Sequence, residues 1–323
     1  MPGTAQVSLS RDARIYVAGH GGMVGGAVVR ALRREGFAQI LVRTRQETDL
    51  TDQSAVHEFF RETRPDYVIL AAARVGGILA NTRYPGEFLY ENLAIALNVI
   101  HAARTWNVRK LLNLGSSCIY PRMAPQPLRE DYLLTGPLEP TNEAYAIAKI
   151  AAIKLCETYR TQFDCNFVSL MPTNLYGPGD SFDLQNAHVL PALIRKFHEG
   201  RASDAERVTV WGTGQPRREF LHVDDLADAC LFTLASYDGP GFLNVGWGED
   251  LTIADLALLV ADVVGYRGRV EFDHTKPDGT PRKLLDVSRI LELGWAPRIP
   301  LRQGIAQTYS WFLKTAQGDA QAH

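Results

Sequence analysis

The sequence predicts an α/β protein with a doubly wound parallel sheet and a smaller α/β lobe. In its first half, short apolar segments alternate with longer helical patterns, which is typical of a parallel sheet covered on both faces. A glycine-rich segment joins the first apolar segment to the first helix. After Gly179 the loops lengthen and the regular alternation ends, so we expect the second lobe to begin there.

The elements of the first half follow in chain order. Strands are predicted over residues 14–18, 40–43, 67–73, 110–115 and 166–171, and helices over residues 24–35, 50–63, 87–105 and 143–163. Gly36 ends the first helix, since glycine favours the conformation found after a helix C-terminus. Thr51 and Asp52 open the second helix as capping residues. Pro85 precedes the third helix, and proline is favoured at a helix start.

The second half has a different organisation. Helices are predicted over residues 188–200 and 252–264 and from residue 222 onward, with a short strand over residues 208–211. We expect a nucleotide-binding domain formed by residues 14–177 and 219–245. A substrate-binding domain would comprise residues 178–218 and 246–316. Residues 1–13 and 317–323 are predicted to be flexible tails.

Composition excludes several classes of partner. The 323 residues carry a formal net charge of −2, which gives no bulk attraction to nucleic acid or to a membrane surface. No apolar run reaches membrane-spanning length, and the N-terminus has no apolar segment typical of a signal peptide. The four cysteines show neither paired nor metal-binding spacing. A cytoplasmic protein with reduced thiols is expected.

Three glycines indicate a dinucleotide site. Gly19, Gly22 and Gly25 are spaced GxxGxxG between a predicted strand and helix. Glycines in this position allow a tight turn, the approach of backbone to a pyrophosphate, and close packing of helix on sheet. The alternative is a glycine-rich turn that only packs on the sheet. The βαβ context favours a Rossmann-type site.

The second strand favours NADP(H) over NAD. A NAD site usually places an acidic residue there to bind the ribose 2′-hydroxyl. This chain has Arg43 and Arg45, and its first acidic residue is Glu47. A guanidinium suits a 2′-phosphate, and Arg45 is the stronger candidate. The alternative is two solvated arginines. Asp49 and Leu50, with Ala71 and Ala72, are expected beside the adenine and its ribose.

The candidate catalytic group is a serine, a tyrosine and a lysine. Tyr145 and Lys149 are four residues apart on a helix and therefore share one face. A cation beside a phenol lowers its pKa, so we expect Tyr145 to act as an acid or base near neutrality. Ser116 and Cys118 are two apart, and in an extended segment their side chains would point the same way. For Cys118 a small buried core residue is an equal alternative.

Two segments carry a resemblance to a known family, residues 115–121 (GSSCIYP) and 145–149 (YAIAK). With them the chain resembles the GDP-L-fucose synthase family, the GDP-4-keto-6-deoxy-D-mannose 3,5-epimerase-4-reductases among the extended short-chain dehydrogenase/reductases. Further matching segments are residues 19–25, 172–177, 188–191, 218–225 and 276–286. The similarity extends over about residues 14 to 312.

This resemblance implies a two-stage reaction on one GDP-sugar, with epimerisation at C3 and C5 followed by NADPH-dependent reduction of the 4-ketone. It implies that Cys118 is the base and His188 the acid of the epimerisations. Tyr145 would give a proton to O4, supported by Lys149 and Ser116. From its position before a helix, we expect the pKa of His188 to be low, because the helix dipole disfavours an imidazolium there.

The resemblance also implies the binding residues. The expected cofactor contacts are Gly19, Gly22, Met23, Val24, Gly25, Arg43, Arg45, Asp49, Leu50, Ala71, Ala72, Leu114, Gly115, Lys149, Pro172, Asn174, Leu175 and His188. The expected substrate contacts are Ser117, Lys196, Trp211, Arg218 and Asp278. No metal is expected. For Lys196 and Arg218 the alternative is a solvated cation, and for Trp211 it is a core position.

The resemblance further implies a homodimer, in which the two long helices pair with their copies across a two-fold axis. Two rival functions remain. The first is another sugar-nucleotide epimerase or dehydratase of the extended short-chain family, which would hold and recycle NAD. The second is a non-catalytic nucleotide-binding protein. The retained Ser116, Tyr145 and Lys149 disfavour the second, and Arg43 with Arg45 disfavours the first.

Overall fold

The computed structural model describes residues 9–184, 187–276 and 278–321, which form an α/β fold. The strands are β1 (Ile15–Ala18), β2 (Ile40–Leu41), β3 (Tyr67–Leu70), β4 (Lys110–Leu114), β5 (Phe167–Pro172), β6 (Asn174–Tyr176), β7 (Arg207–Trp211), β8 (Arg217–His222), β9 (Phe242–Val245), β10 (Asp250–Thr252), β11 (Arg269–Asp273) and β12 (Arg282–Lys283). The helices are α1 (Met23–Arg34), α2 (Gln53–Thr63), α3 (Ile78–Arg83), α4 (Pro85–Thr105), α5 (Glu143–Phe163), α6 (Val189–Ala202), α7 (Val223–Ser236), α8 (Ile253–Val264), α9 (Ser288–Glu292) and α10 (Leu301–Gln321).

Six parallel strands form the main sheet in the order β2-β1-β3-β4-β5-β9, so the predicted doubly wound sheet is confirmed. The chain leaves β1 for a neighbour on one side and returns to β3 on the other. This reversal opens a crevice at the carboxyl ends of the strands, where ligands bind in such sheets. Helices α1 and α7 pack together over one face, and α2, α4 and α5 cover the other.

The remaining elements surround a separate hydrophobic core. Side chains from α6, α8, α10 and the strands β7 and β8 form a cluster that includes Phe197, Val260 and Ile305. Strands β7 and β11 pair in parallel, and β8 lies between β10 and β12. Glu219 on β8 is fully buried and accepts hydrogen bonds from the amides of Gly248 (2.7 Å) and Leu285 (3.0 Å). This carboxylate ties the loop before β10 and the segment after β12 to β8.

The predicted tails differ partly from the structure. Residues 1–8 lie outside the described residues, but Leu9 packs against the main core and Ala13 is buried. At the other end, α10 continues to Gln321, past the predicted end at residue 316. No helix among the described residues is long and apolar enough to cross a membrane.

Close packing fixes the conformation of the glycine-rich turn. Gly19 has a φ of +86°, and a Cβ there would lie 2.7 Å from the Cα of Ala72 on the neighbouring segment. A Cβ at Gly25 would collide with the Gly19 carbonyl group. The turn, the start of α1 and the end of β3 therefore form one tightly packed unit.

Gly25→Ala should lower the free energy of unfolding by about 1–3 kcal/mol, because the added methyl meets backbone that must move. Gly26 is the matched control, since its Cβ would find its nearest neighbour at 3.4 Å. Gly26→Ala should be neutral or stabilise the helix by about 0.5–1 kcal/mol. Urea unfolding of both variants measures the difference. Equal stabilities for the two would contradict this account of the turn.

Candidate active site

The predicted cofactor residues gather at the carboxyl ends of the parallel strands. Gly19 and Gly22 lie between β1 and α1, and Gly25 lies in the first turn of α1. Ala71 and Ala72 follow β3, Leu114 ends β4, and Gly115 comes directly after it. Pro172 ends β5, and Asn174 and Leu175 form part of the adjacent β6. Gly179 lies against Met23, since its Cβ would be 3.2 Å from the Met23 Cα. The segment after β6 therefore meets the beginning of α1.

The N-terminus of α1 fits an anionic group. Its N-cap is Gly22, which provides no side-chain cap, so the amide groups of the first turn are available to a phosphate. A Cβ at Gly21 would enter open space, so the backbone is exposed there. His20 in the same turn has a buried Nδ1 with no hydrogen-bond partner among the described residues. These features match a pyrophosphate cradle.

Arg43 and Arg45 both lie in the segment after β2, but their surroundings differ. The Arg43 guanidinium lies 5.2 Å from the Phe59 ring centroid. Arg45 is 69 % exposed and forms ion pairs with Asp49 (3.6 Å) and with Glu91 on α4 (3.8 Å). Glu91 had no predicted role, because nothing in its helical spacing connects it with Arg45.

Lys149 is fixed at the base of the candidate catalytic group. It is buried, donates a 2.9 Å hydrogen bond to the Leu114 carbonyl, and lies 5.7 Å from the Tyr145 ring centroid. Burial lowers the pKa of Lys149 to about 8, an effect that the neighbouring Cys118 opposes. The Ser116 hydroxyl is near Tyr145 and acts to lower the pKa of its phenol. The structure therefore brings together Ser116, Cys118, Tyr145 and Lys149.

The prediction of a lowered tyrosine pKa was wrong for this structure. Burial raises the pKa of Tyr145 well above its usual range, Cys118 raises it further, and the Ser116 hydroxyl only partly offsets this. Lys149 is directed at the Leu114 carbonyl, so its charge does not overcome the desolvation of the phenol. Tyr145 is therefore protonated near neutrality.

Ser116 and Cys118 are close for a different reason from the one predicted. Ser116 is extended, but Ser117–Ile119 form one turn of 3₁₀-helix, so the alternation of a strand does not apply. Instead the Ser116 hydroxyl caps this turn and accepts a 3.4 Å hydrogen bond from the Cys118 amide. Ser117, a predicted substrate contact, is buried within the turn.

The electrostatic environment of Cys118 has opposing contributions. Burial raises the pKa of the Cys118 thiol, contrary to the modest lowering that a base would need. Lys283, the hydrogen bond with Ser116, and Lys149 each act in the other direction. Two cations thus favour the thiolate inside a desolvated cleft.

His188 precedes α6 and does not use its side chain to cap that helix. The residue is exposed at the surface, although protein atoms lie densely around its ring. Burial and then Lys283 lower the pKa of His188, so the imidazole is neutral near pH 7. The predicted direction agrees with this, but the cause is burial and, after it, the charge of Lys283 rather than the helix dipole.

Lys283 is the site residue that sequence spacing did not reveal. It lies on β12, which pairs in parallel with β8 so that Lys283 is opposite Arg218. Its charge acts on both Cys118 and His188. The sequence indicates no role for Lys283 beyond its place in the matching segment 276–286. The fold gives it one, because β12, a short strand late in the chain, brings it to the 3₁₀ turn.

The predicted substrate residues form a second group around Trp211. The Trp211 side chain is exposed, which excludes a core position. The ammonium groups of Lys196 and Lys276 lie 5.4 and 5.5 Å from its ring centroid. Asp278 accepts hydrogen bonds of 2.7 Å from both the amide and the hydroxyl of Thr213.

Arg218 connects this second group to the cleft. Burial lowers the pKa of Arg218, and the carboxylate of Asp278 opposes that effect. Arg218 is also a neighbour of Lys283 across the β8–β12 pair. A row of cations thus extends from Trp211 to Cys118, which is suited to a diphosphate.

Comparison with known proteins defines the family. Residues 15–246 match the model of the NAD dependent epimerase/dehydratase family. The chain belongs to this family. GDP-L-fucose synthase 1 of Arabidopsis thaliana is 58% identical over 304 residues, covering 94% of both chains. GDP-L-fucose synthase of Escherichia coli is 54% identical over 310 residues, covering 93% of this chain and 97% of that protein.

A solved structure has the same fold with a cofactor. It is a GDP-L-fucose synthetase from Naegleria fowleri bound to NADP, with a TM-score of 0.89 and 29% identity. The match covers 96% of this chain and 97% of that one. Within the NAD dependent epimerase/dehydratase family, the chain is thus similar to GDP-L-fucose synthases along nearly its whole length.

Lys283→Met should raise the pKa of Cys118, because it removes the cation that most lowers it. The pH dependence of Cys118 alkylation by iodoacetamide, followed by mass spectrometry of the modified peptide, should therefore move to higher pH.

Arg282→Met is the matched control for that shift, since Arg282 pairs with Asp250 rather than with the cleft. The control should leave the profile of Cys118 unchanged. An unshifted profile in the Lys283 variant would show that this lysine does not control the thiol.

Proposed function

We propose that the chain converts GDP-4-keto-6-deoxy-D-mannose to GDP-L-fucose, by epimerisation at C3 and C5 and then NADPH-dependent reduction of the 4-ketone. The observation that carries this proposal is the position of Lys283, whose charge acts on both a thiol and an imidazole beside the Ser116–Tyr145–Lys149 group. A simple 4-reductase needs only the last three residues. The thiol and imidazole supply the additional acid–base pair that two epimerisations require.

NADP(H) is the proposed cofactor, and when bound it supplies the hydride for C4. The glycine turn and the first turn of α1 would hold its pyrophosphate, and Arg45 with Arg43 would hold its 2′-phosphate. Asp49, Leu50, Ala71 and Ala72 would contact the adenosine. Residues at the ends of β4, β5 and β6, with Lys149 and His188, would line the nicotinamide end.

Cys118 is proposed as the base of the epimerisations. The 4-ketone acidifies the hydrogens on C3 and C5, and a hydrogen bond from Ser116 or Tyr145 to O4 would stabilise the enolate that forms. Lys283 and Lys149 favour the thiolate that removes the proton. His188 would return a proton from the other side, and its lowered pKa makes the imidazolium a ready donor once formed.

Tyr145 is proposed as the proton donor of the reduction. Its raised pKa keeps the phenol protonated until O4 becomes basic as the hydride arrives. Lys149 then stabilises the phenolate by its charge, 5.7 Å from the ring centroid. Burial of Tyr145 therefore keeps the phenol protonated, which is the form that donates a proton in this step.

The GDP moiety is proposed to lie along the cationic row. Lys196, Arg218 and the adjacent Lys276 would face its phosphates, and the exposed Trp211 offers a ring for the guanine. Asp278 would contact the nucleotide while the Thr213 hydrogen bonds hold its position. This assignment corresponds to a nucleotide-binding domain of residues 14–177 and 219–245 and a substrate-binding domain of residues 178–218 and 246–316.

The two stages should separate in two variants. Tyr145→Phe should retain deuterium exchange from D₂O into the keto-sugar, while NADPH oxidation falls by roughly 10²-fold or more, the usual contribution of a general acid. Cys118→Ser should suppress exchange while NADPH binding is unchanged.

Cys230→Ser is the control for the thiol, because Cys230 is buried in the core of the main sheet. This variant should catalyse deuterium exchange into the keto-sugar as fast as the unmodified protein does. Undiminished exchange in Cys118→Ser would remove Cys118 as the base, and an unaffected reduction rate in Tyr145→Phe would remove the proton donor.

A homodimer built on α4 and α5 is proposed as the working form, in the cytoplasm. Tyr90 and Leu97 are seven residues apart on α4, so they share one face, and they are 68% and 48% exposed. Ile147 on the adjacent α5 is 43% exposed. The cysteines Cys118, Cys156, Cys165 and Cys230 are all free thiols, as expected in a reducing compartment.

Leu97→Glu should convert the dimer to a monomer, because burying an unpaired carboxylate in an apolar interface is costly. Sedimentation velocity at micromolar concentration measures the mass. Leu258→Glu is the control, since Leu258 is similarly exposed on α8, away from α4 and α5. A monomer in the unmodified protein would contradict the proposal.

A further inference from the structure

Glu91 on α4 is shared between two arginines that belong to different loops. One of its carboxylate oxygens pairs with Arg74, in the segment after β3. The other lies 3.8 Å from Arg45, in the segment after β2. These two segments are the ones that would enclose the adenosine half of the cofactor. The acidic group is therefore located beside the residue that would bind the 2′-phosphate.

The carboxylate of Glu91 is held in this position. Its side chain is only 18% exposed, and Arg74 is in turn held by a second carboxylate, that of Glu87, at 2.5 Å. Asn92 fixes the backbone of Arg74 from both sides, accepting from its amide (2.9 Å) and donating to its carbonyl (3.0 Å). These contacts hold the Glu91 carboxylate in its position beside Arg45.

Arg45 is held less firmly than Glu91. Its side chain is 69% exposed, and its partners Asp49 and Glu91 are 3.6 and 3.8 Å away, distances of ion pairs rather than of short hydrogen bonds. Such exposed pairs contribute little energy, roughly 0–1 kcal/mol, and are easily exchanged. The guanidinium can therefore turn to a phosphate, while the carboxylates remain where they are.

A fixed carboxylate has opposite effects on the two dinucleotides. It repels a 2′-phosphate, and it can accept a hydrogen bond from a ribose 2′-hydroxyl, which is why acidic residues are typical of NAD sites. We propose that Glu91 is a specificity-determining residue that weakens the preference of this site for NADPH over NADH. This inference rests on the proposed cofactor site at Arg45.

Glu91→Gln should tighten NADPH binding while leaving NADH binding unchanged or weaker. A carboxylate repels a doubly charged phosphate; for a separation on the order of 7 Å in water at ~0.1 M salt, the screened effect is roughly threefold in the dissociation constant. The ratio of the NADH and NADPH dissociation constants, measured by fluorescence titration, should therefore rise at least about threefold. The rise should decrease at higher salt.

Glu87→Gln is the matched control. It removes the same charge from Arg74, but Glu87 makes no ion pair with Arg45 among the described residues. In Glu87→Gln the ratio of the NADH and NADPH dissociation constants should remain close to that of the unmodified protein. An unchanged or lowered ratio in Glu91→Gln, or an equal rise in Glu87→Gln, would overturn the inference.

Arg45→Ala distinguishes this inference from the cofactor site on which it rests. Suppose that Arg45→Ala lowers the ratio of the NADH and NADPH dissociation constants, but that Glu91→Gln does not raise this ratio. Only the role of Glu91 is then refuted. If Arg45→Ala leaves the ratio unchanged, the assignment of the 2′-phosphate site is itself refuted.

Discussion

The buried Lys149 ammonium, hydrogen-bonded to the Leu114 carbonyl, is the interaction on which the site depends. It joins α5 to the carboxyl end of β4 and thereby sets the position of Tyr145, one turn earlier on the same helix. It also brings a positive charge to the strand end from which Ser116 and Cys118 continue. One contact thus determines both the geometry and the electrostatic potential of the cleft.

Desolvation and charge oppose each other throughout this cleft. Burial raises the pKa of Cys118 and of Tyr145, and it lowers the pKa of Lys149, Lys283 and His188. Every group is therefore shifted toward its neutral form, and the charges of Lys149 and Lys283 counteract this at Cys118. A cleft of this kind disfavours ionisation of its thiol, phenol and imidazole, while Lys149, with a pKa of about 8, stays mainly protonated near pH 7.

The sequence predicted the long regular elements well, because strong periodicity and capping residues determine them locally. The bounds of α5 agree at both ends, and Asp52 caps α2 as expected. The shorter elements were less predictable. The strand predicted over residues 40–43 is only two residues long, and the residues after Ser116 form a 3₁₀ turn.

The site was predictable where its members are close in sequence, as with Tyr145 and Lys149. Contacts made by the tertiary fold left no local pattern. Lys283 reaches the thiol because β12 pairs with β8, and Glu91 reaches Arg45 because the fold brings α4 close to the segment after β2. The pKa directions of Tyr145 and Cys118 also required the fold, since the degree of burial decides whether a nearby cation prevails.

The most direct test of the central claim is the origin of each new hydrogen in the product. GDP-4-keto-6-deoxy-D-mannose, NADPH and the enzyme are incubated in D₂O, and the product is analysed by NMR. If one cleft carries out both stages, the product is GDP-L-fucose with deuterium at C3 and C5 and NADPH-derived protium at C4. A reduced sugar without solvent deuterium, or one that retains the manno configuration, would contradict the account.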